Sequence, residues 1–124
     1  LFVTEDYKPL PTTEPRVLAQ YLAEVVCREF ARDYAFTATA LRLGKLVREE
    51  DLAGGKPDLM WLDIRDAASA FAQAIKRDNS DSLNWVARWA VYHICAPVPN
   101  AKFLIGRAEG MGYAPKRDLQ EGAR

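Results

Sequence analysis

The chain has 124 residues, 17 Lys plus Arg against 17 Asp plus Glu, and hence no formal net charge; 49% of it is hydrophobic. This is the size and composition of one globular domain. The balance of charge weighs against a dedicated nucleic-acid binder. No apolar run approaches the roughly 20 residues of a membrane span, so neither a nucleic acid nor a membrane is expected as a partner. Cys27 and Cys95 are too few for a disulfide framework and lack metal-ligand spacing, so a reduced, cytoplasmic setting is expected. The opening Leu1-Phe2-Val3-Thr4 has no basic or secretory apolar region and reads like the middle of a longer protein.

In chain order, Pro9, Pro11 and Pro15 predict an opening loop, with Thr13 capping a helix that has Pro15 in its first turn. Residues 16–34 then follow a helical period, with Leu18, Leu22, Val25 and Val26 in one stripe. Ala19, Ala23 and Cys27 leave other faces uncharged, so this helix is expected to be covered on more than one side in its first half, before the more charged end of Arg28, Glu29, Arg32 and Asp33. Residues 36–43 read as a strand ending at Gly44. Residues 48–57 read as a loop, and Leu59 to Leu62 as a short apolar run. Asp63 is positioned to cap a second helix reaching Lys76, with Ile64, Ala67, Ala70, Phe71, Ala74 and Ile75 as its apolar stripe. Residues 78–82 form a turn cluster, and 89–95 a buried strand stopped by Pro97 and Pro99. Asn100 starts a last helix through Phe103, Leu104, Ala108 and Met111, ended by Gly112. Helices alternating with strands imply an α/β layer structure with a mainly parallel sheet.

The chemistry-bearing residues are sparse. The lone histidine, His93, lies inside an apolar strand and reads as a core or edge residue. Nucleophile-elbow and phosphate-loop motifs are lacking, and the glycines of Gly106 to Gly112 fall inside and at the end of a helix. Cys27 and Cys95 read as small core residues. Asp63 and Asp66 could work as an acid–base pair, although a helix cap with first-turn charge is the simpler reading. Arg16, Arg42, Lys45 and Arg48 could form an anion site near one end of the sheet, with solvated surface charge as the plain alternative.

Several segments together resemble the C-terminal half of extended short-chain dehydrogenase/reductase proteins, the NAD-dependent epimerase/dehydratase family acting largely on sugars and sugar nucleotides. Thr4-Glu5-Asp6 with Pro11-Thr12-Thr13-x-Pro15 resembles the loop before that family's catalytic helix. The segment from Ala23 to Ala31 resembles the helix itself, and Ala40-Leu41-Arg42-Leu43-Gly44 the strand after it. Trp61 through Phe71 is similar to a later strand-to-helix segment. Val91-Tyr92-His93-Ile94, Gly112-Tyr113-x-Pro115 and Leu119-x-Glu121-Gly122 are similar to the family's last strand and C-terminal end.

The resemblance implies the C-terminal part of a Rossmann-like doubly wound sheet spanning residues 1–124, incomplete without an N-terminal dinucleotide-binding half. It implies NAD or NADP in the parent protein and none bound by this chain alone. Partners would be the missing half or a second copy, since the family commonly pairs through this helix. The family's Tyr-x-x-x-Lys pair falls here on Arg16 and Gln20, neither of which can do that proton transfer. Tyr21 is one residue out of register, about 100° around the helix. Substrate is expected near Arg42, Lys45 and Trp61, where Lys45 replaces a frequent asparagine. The loop from Lys45 to Pro57 is closest to members handling small free sugars or sugar acids. Two functions follow from the resemblance. One is a portion of an NAD(P)-dependent epimerase, dehydratase or dehydrogenase. The other is a catalytically inactive relative serving as a binding or assembly module.

Overall fold

The computed structural model describes residues 5, 13–52, 58, 60–96 and 105–117. The opening prolines through Pro11, the glycine pair at 54–55, the Asn100 cap with Phe103 and Leu104, and the closing Leu119 to Gly122 lie outside the described residues. What is described is a small α/β arrangement of two two-stranded parallel sheets and helices.

The first helix, α1, spans Pro15–Asp33. Its cap is Glu14 and not Thr13: the Glu14 carboxylate accepts from the Arg16 N–H at 3.3 Å and the Val17 N–H at 2.9 Å. Proline at the first helical position has no N–H to satisfy, so the next two amides are the ones in need of an acceptor, and a carboxylate there also suits the helix dipole. Strand β1, Ala38–Leu43, pairs in parallel with β4, Trp89–Ile94, in a register from Ala38 opposite Trp89 to Leu43 opposite Ile94.

β1 ends at Leu43, directly before Gly44, as expected, but the chain is extended again at once. The chain continues as β2, Lys45–Val47, which pairs in parallel with β3, Trp61–Asp63. The strand changes neighbours at Gly44. The Gly44 N–H donates to the Ile94 carbonyl of β4 at 2.9 Å, and the next N–H, of Lys45, donates to the Met60 carbonyl at 2.6 Å. A Cβ on Gly44 would stand 2.5 Å from the Met60 carbonyl oxygen, so only glycine lets the two backbones approach this closely.

Helix α2, Ile64–Lys76, follows β3 without an intervening residue, and Asp63 both ends the strand and caps the helix. A short helix the sequence did not suggest, α3 at Trp85–Arg88, leads straight into β4; Asn84 accepts from the Val86 N–H at its start. The last helix, α4, covers Gly106–Met111 only and ends at Gly112, whose φ of 115° is the left-handed conformation a helix terminus assigns to glycine.

Strand alternation distributes the side chains between two layers. Leu41, Leu43, Tyr92 and Ile94 face the cluster of Leu62, Ala67, Ala70, Ala108 and Tyr113 supplied by β3, α2, α4 and the segment after it. Arg42 faces the other way, toward α1, and is ion-paired to Glu24. A second cluster gathers Leu52, Trp61 and Val47.

Two expectations fail on burial. The first half of α1 is not covered on more than one side among the described residues: it has no buried residue, and Val17, Tyr21 and Leu22 are 46%, 43% and 49% exposed; the row continues open through Val26 and Phe30. A two-stranded sheet is too narrow to cover more than one stripe of a 19-residue helix. Cys27, on that open side, is exposed and not a core residue, whereas Cys95 is buried.

Candidate functional site

Helix α1 crosses the face of the β1–β4 pair and presents Tyr21, Glu24, Val25 and Arg28, the i, i+3, i+4, i+7 set of one face. Below them lie Arg42 of β1, Trp89 and Val91 of β4, and Glu5, lining an open-sided cavity of about 180 Å³. Glu24 accepts from Arg42 Nε with both carboxylate oxygens, at 3.0 and 3.3 Å, and Arg42 Nη1 donates to the Glu5 carbonyl at 3.4 Å. Glu5 is itself buried: one carboxylate oxygen accepts the His93 N–H on the outer edge of β4 at 3.0 Å, and the other lies 4.0 Å from Arg107 Nε. A side chain thus takes the acceptor place that a further strand's carbonyl would take.

The residues singled out from the sequence are not all in one place. Arg16 and Gln20 are exposed on the first turns of α1. With Glu24 they form an i, i+4, i+8 ridge that reaches the cavity at Glu24. Tyr21, out of register with the family's tyrosine, is the phenol that lines the cavity. Arg42 is engaged by Glu24 and so is not an unpartnered anion ligand. Lys45 and Trp61 are direct neighbours in the β2–β3 register, with Lys45 exposed and the Trp61 side chain packed inward against Leu52 and Val47. Arg48 is exposed at the start of a single tight turn, Glu49–Asp51.

Asp63 and Asp66 are both engaged structurally. Asp63 accepts from the Arg65 N–H at 2.8 Å and from the Arg65 guanidinium at 2.9 and 2.8 Å. Those hydrogen bonds outweigh burial and hold its carboxyl at about 2, below the usual 3.8. Asp66 accepts the Lys116 and Arg117 N–H groups at 3.1–3.3 Å and the Arg117 guanidinium at 3.2 Å, pinning residues 116 and 117 to the start of α2. The Tyr113 hydroxyl donates to the Cys95 carbonyl at 2.8 Å, and burial pushes the phenol's pKa up. Burial, with Glu5 nearby, likewise pushes the Cys95 thiol up to about 11, far from the range of a nucleophilic cysteine.

A pyrophosphate needs a helix N-terminus with open amides behind a glycine-rich turn. The two long helices are capped by carboxylates, Glu14 on α1 and Asp63 on α2, which occupy those amides and repel an anion. The starts of α1 and α2 therefore offer no open amides to a pyrophosphate. Among the described residues no group of His, Cys, Asp and Glu is placed to hold a metal ion, and no helix is long and apolar enough to cross a membrane.

No family model, curated protein or solved structure matches this chain.

What sequence reasoning missed are the pairings made across long separations. Glu5 meets His93, Glu24 meets Arg42, and Arg88 meets the end of α1. A helix-to-strand ion pair 18 residues apart leaves no periodic signal in sequence; the nearest hint was a glutamate on an otherwise uncharged stretch of helix.

Proposed function

We propose that the chain is the catalytic-helix and substrate-side portion of an NAD(P)-dependent epimerase, dehydratase or dehydrogenase-like protein acting on sugars or sugar nucleotides, with the dinucleotide held by another part of the protein. The observation that carries this reading is the α1 ridge: Arg16, Gln20 and Glu24 run in line down to a cavity over parallel strands. In the resembled family that ridge carries the proton-transfer pair, beside the substrate. The Rossmann-like sheet belongs to this proposal and not to the strands described above.

Arg16 and Gln20 supply neither a titratable phenol nor an ammonium, so this portion does not itself exchange a proton with a substrate hydroxyl. The remaining chemistry of the cavity is binding and orientation through Glu24, Arg42 and Tyr21. A second reading, an inactive relative serving assembly, is favoured by one observation, the exposed Leu22–Val26–Phe30 row of α1.

Titration of the whole protein with NADH and NADPH, followed by energy transfer from tryptophan, tests the first reading. Micromolar binding is expected; no binding of either dinucleotide overturns it. Introducing Arg16→Tyr and Gln20→Lys together separates the two readings. Hydride transfer gained by that double variant supports the enzyme scaffold, and dinucleotide binding with no gain supports the assembly role.

A further inference from the structure

We propose that Glu5, together with Tyr113, is a guard on the outer edge of β4: their side chains fill the places of a neighbouring strand and keep a second copy of the chain from adding one. The device concerns the strand edge alone and stands whatever the protein acts on.

The backbone groups of a paired strand point alternately toward its neighbour and away from it. In β4 the Ile94 carbonyl accepts the Gly44 N–H at 2.9 Å, on the β1 side. His93 and Cys95, one residue either way, therefore turn their backbone groups outward, and by the same alternation so does Val91. At 93 and 95 these outward groups are met by side chains. The His93 N–H donates to a Glu5 carboxylate oxygen at 3.0 Å, and the Tyr113 hydroxyl donates to the Cys95 carbonyl at 2.8 Å. An acceptor and a donor thus stand, two residues apart, where the carbonyl and the amide of a further strand would stand. They come from 88 and 18 residues away in sequence, so neither is a local turn.

The guard is fixed in place. Glu5 is buried, its second carboxylate oxygen lies 4.0 Å from Arg107 Nε, and its own carbonyl accepts from Arg42 Nη1 at 3.4 Å. A strand added here would take the His93 N–H from the carboxylate and leave that buried charge one donor short, which is costly. Charges pointing inward at a sheet edge are a recurrent way of closing it. Before His93 the edge is less protected. An open-sided hollow there is lined by Val86, Trp89, Val91, Tyr92, Glu5 and Arg107. Side chains from both faces of β4 line it and none from β1, so it lies along the outer edge. Identical edges can pair antiparallel about a two-fold axis, each copy supplying the other's strand, and a net charge of zero does not oppose their approach.

Amide hydrogen exchange at Val91 and His93 of the 124-residue chain, dilute and concentrated, tests this. In the native chain the His93 amide is expected to be protected at both concentrations alike. In dilute Glu5→Ala its protection should fall about tenfold or more, the worth of a hydrogen bond to a charged group. Concentrating Glu5→Ala should restore protection at Val91 and His93 together, as a second copy adds its strand. Adding Val91→Pro to Glu5→Ala removes an outward N–H, leaves the ladder to β1 intact, and should abolish that gain at His93. Adding Tyr113→Phe instead should let the gain appear at about threefold lower concentration. Native-like His93 protection in dilute Glu5→Ala overturns the proposal. So does a folded Glu5→Ala without the gain on concentration, or a gain that survives Val91→Pro. An unchanged concentration with Tyr113→Phe takes Tyr113 out of the guard. Should Glu5→Ala not fold, Glu5→Gln, which keeps an acceptor and removes the charge, decides alone: a gain at Val91 beyond that of the native chain supports the guard, and none overturns it.

Discussion

Asp63 shows how one side chain can serve two elements at once. It closes β3, caps α2 and receives the Arg65 fork, while the same guanidinium reaches Glu49 at 2.8 Å. Its cap was legible in the sequence because an acidic residue directly before an apolar helical period is a local signal. The fork was not, because the rotamer of Arg65 depends on where Glu49 lies. The carboxyl is held at about 2 against an ordinary 3.8, chiefly by the Arg65 side chain. A lowered folded-state pKa means that the unfolded chain takes up the proton first. The stabilisation is therefore complete above the ordinary value and is lost as pH falls from about 4 toward 2. With the half-exposed Arg65 screened by water, it is worth on the order of 1–2 kcal/mol. Thermal unfolding followed across that window should show a falling midpoint in the native chain. Asp63→Asn keeps an acceptor for the cap and should flatten that part of the curve while lowering the midpoint at neutral pH. An unchanged slope in the variant would remove Asp63 as its source.

At the scale of elements, periodicity located the helices but not which side is covered. In α2 the expected stripe mixed alanines with large residues. The structure buries Ala67 and Ala70 against the sheet and turns Phe71 and Ile75 outward, at 49% and 82% exposed. Small residues let the helix sit close to the strands, and helical spacing alone cannot distinguish that from the reverse. The end of α1 was equally hidden. Arg88, 9% exposed at the close of α3, donates to the Ala31 carbonyl at 3.0 Å, the Arg32 carbonyl at 3.1 Å and the Ser82 carbonyl at 2.7 Å. A cation among the last carbonyls of a helix satisfies them and complements the dipole. Arg32 in turn lies over the Trp85 ring at 5.5 Å, so α3 and the end of α1 brace each other. Replacing Arg88 by Met leaves the buried Ala31 carbonyl and two partly buried ones without this donor and should cost about 3 kcal/mol in urea unfolding. Amide exchange should accelerate first in the last turn of α1. Arg88→Lys, which keeps the charge but not the fork, should fall between the two. Equal exchange in all three proteins would show that α1 ends independently of α3.

For the whole molecule, the alternation of helices and strands was legible because each element carries its own period and punctuation. The change of partner at Gly44 was not, because a glycine after an apolar run signals a stop as readily as a close approach. What results, among the described residues, is two pairs of parallel strands, the β1–β4 pair lying between α1 on one face and α2 with α4 on the other. Parallel sheets elsewhere are buried on both faces, yet every residue of β1 here is only partly buried. Glu5 occupies one amide on the outer edge of β4, and no further strand pairs there among the described residues. The outer rows of α1 and α2 add Leu22, Val26, Phe30, Phe71 and Ile75 to the uncovered apolar surface. Net charge is zero, so no long-range repulsion keeps copies apart. The 124-residue chain is therefore expected to self-associate at micromolar concentrations. Because the driving surface is apolar, raising the salt should not dissociate it, in contrast to association through the surface ion pairs. Leu22→Glu with Val26→Glu should shift sedimentation toward monomer if α1 is the contact, and Phe71→Glu with Ile75→Glu should do so if α2 is. A native chain that sediments as a single monomeric species at tens of micromolar would contradict the prediction, and would mean that the apolar rows are covered within the chain itself.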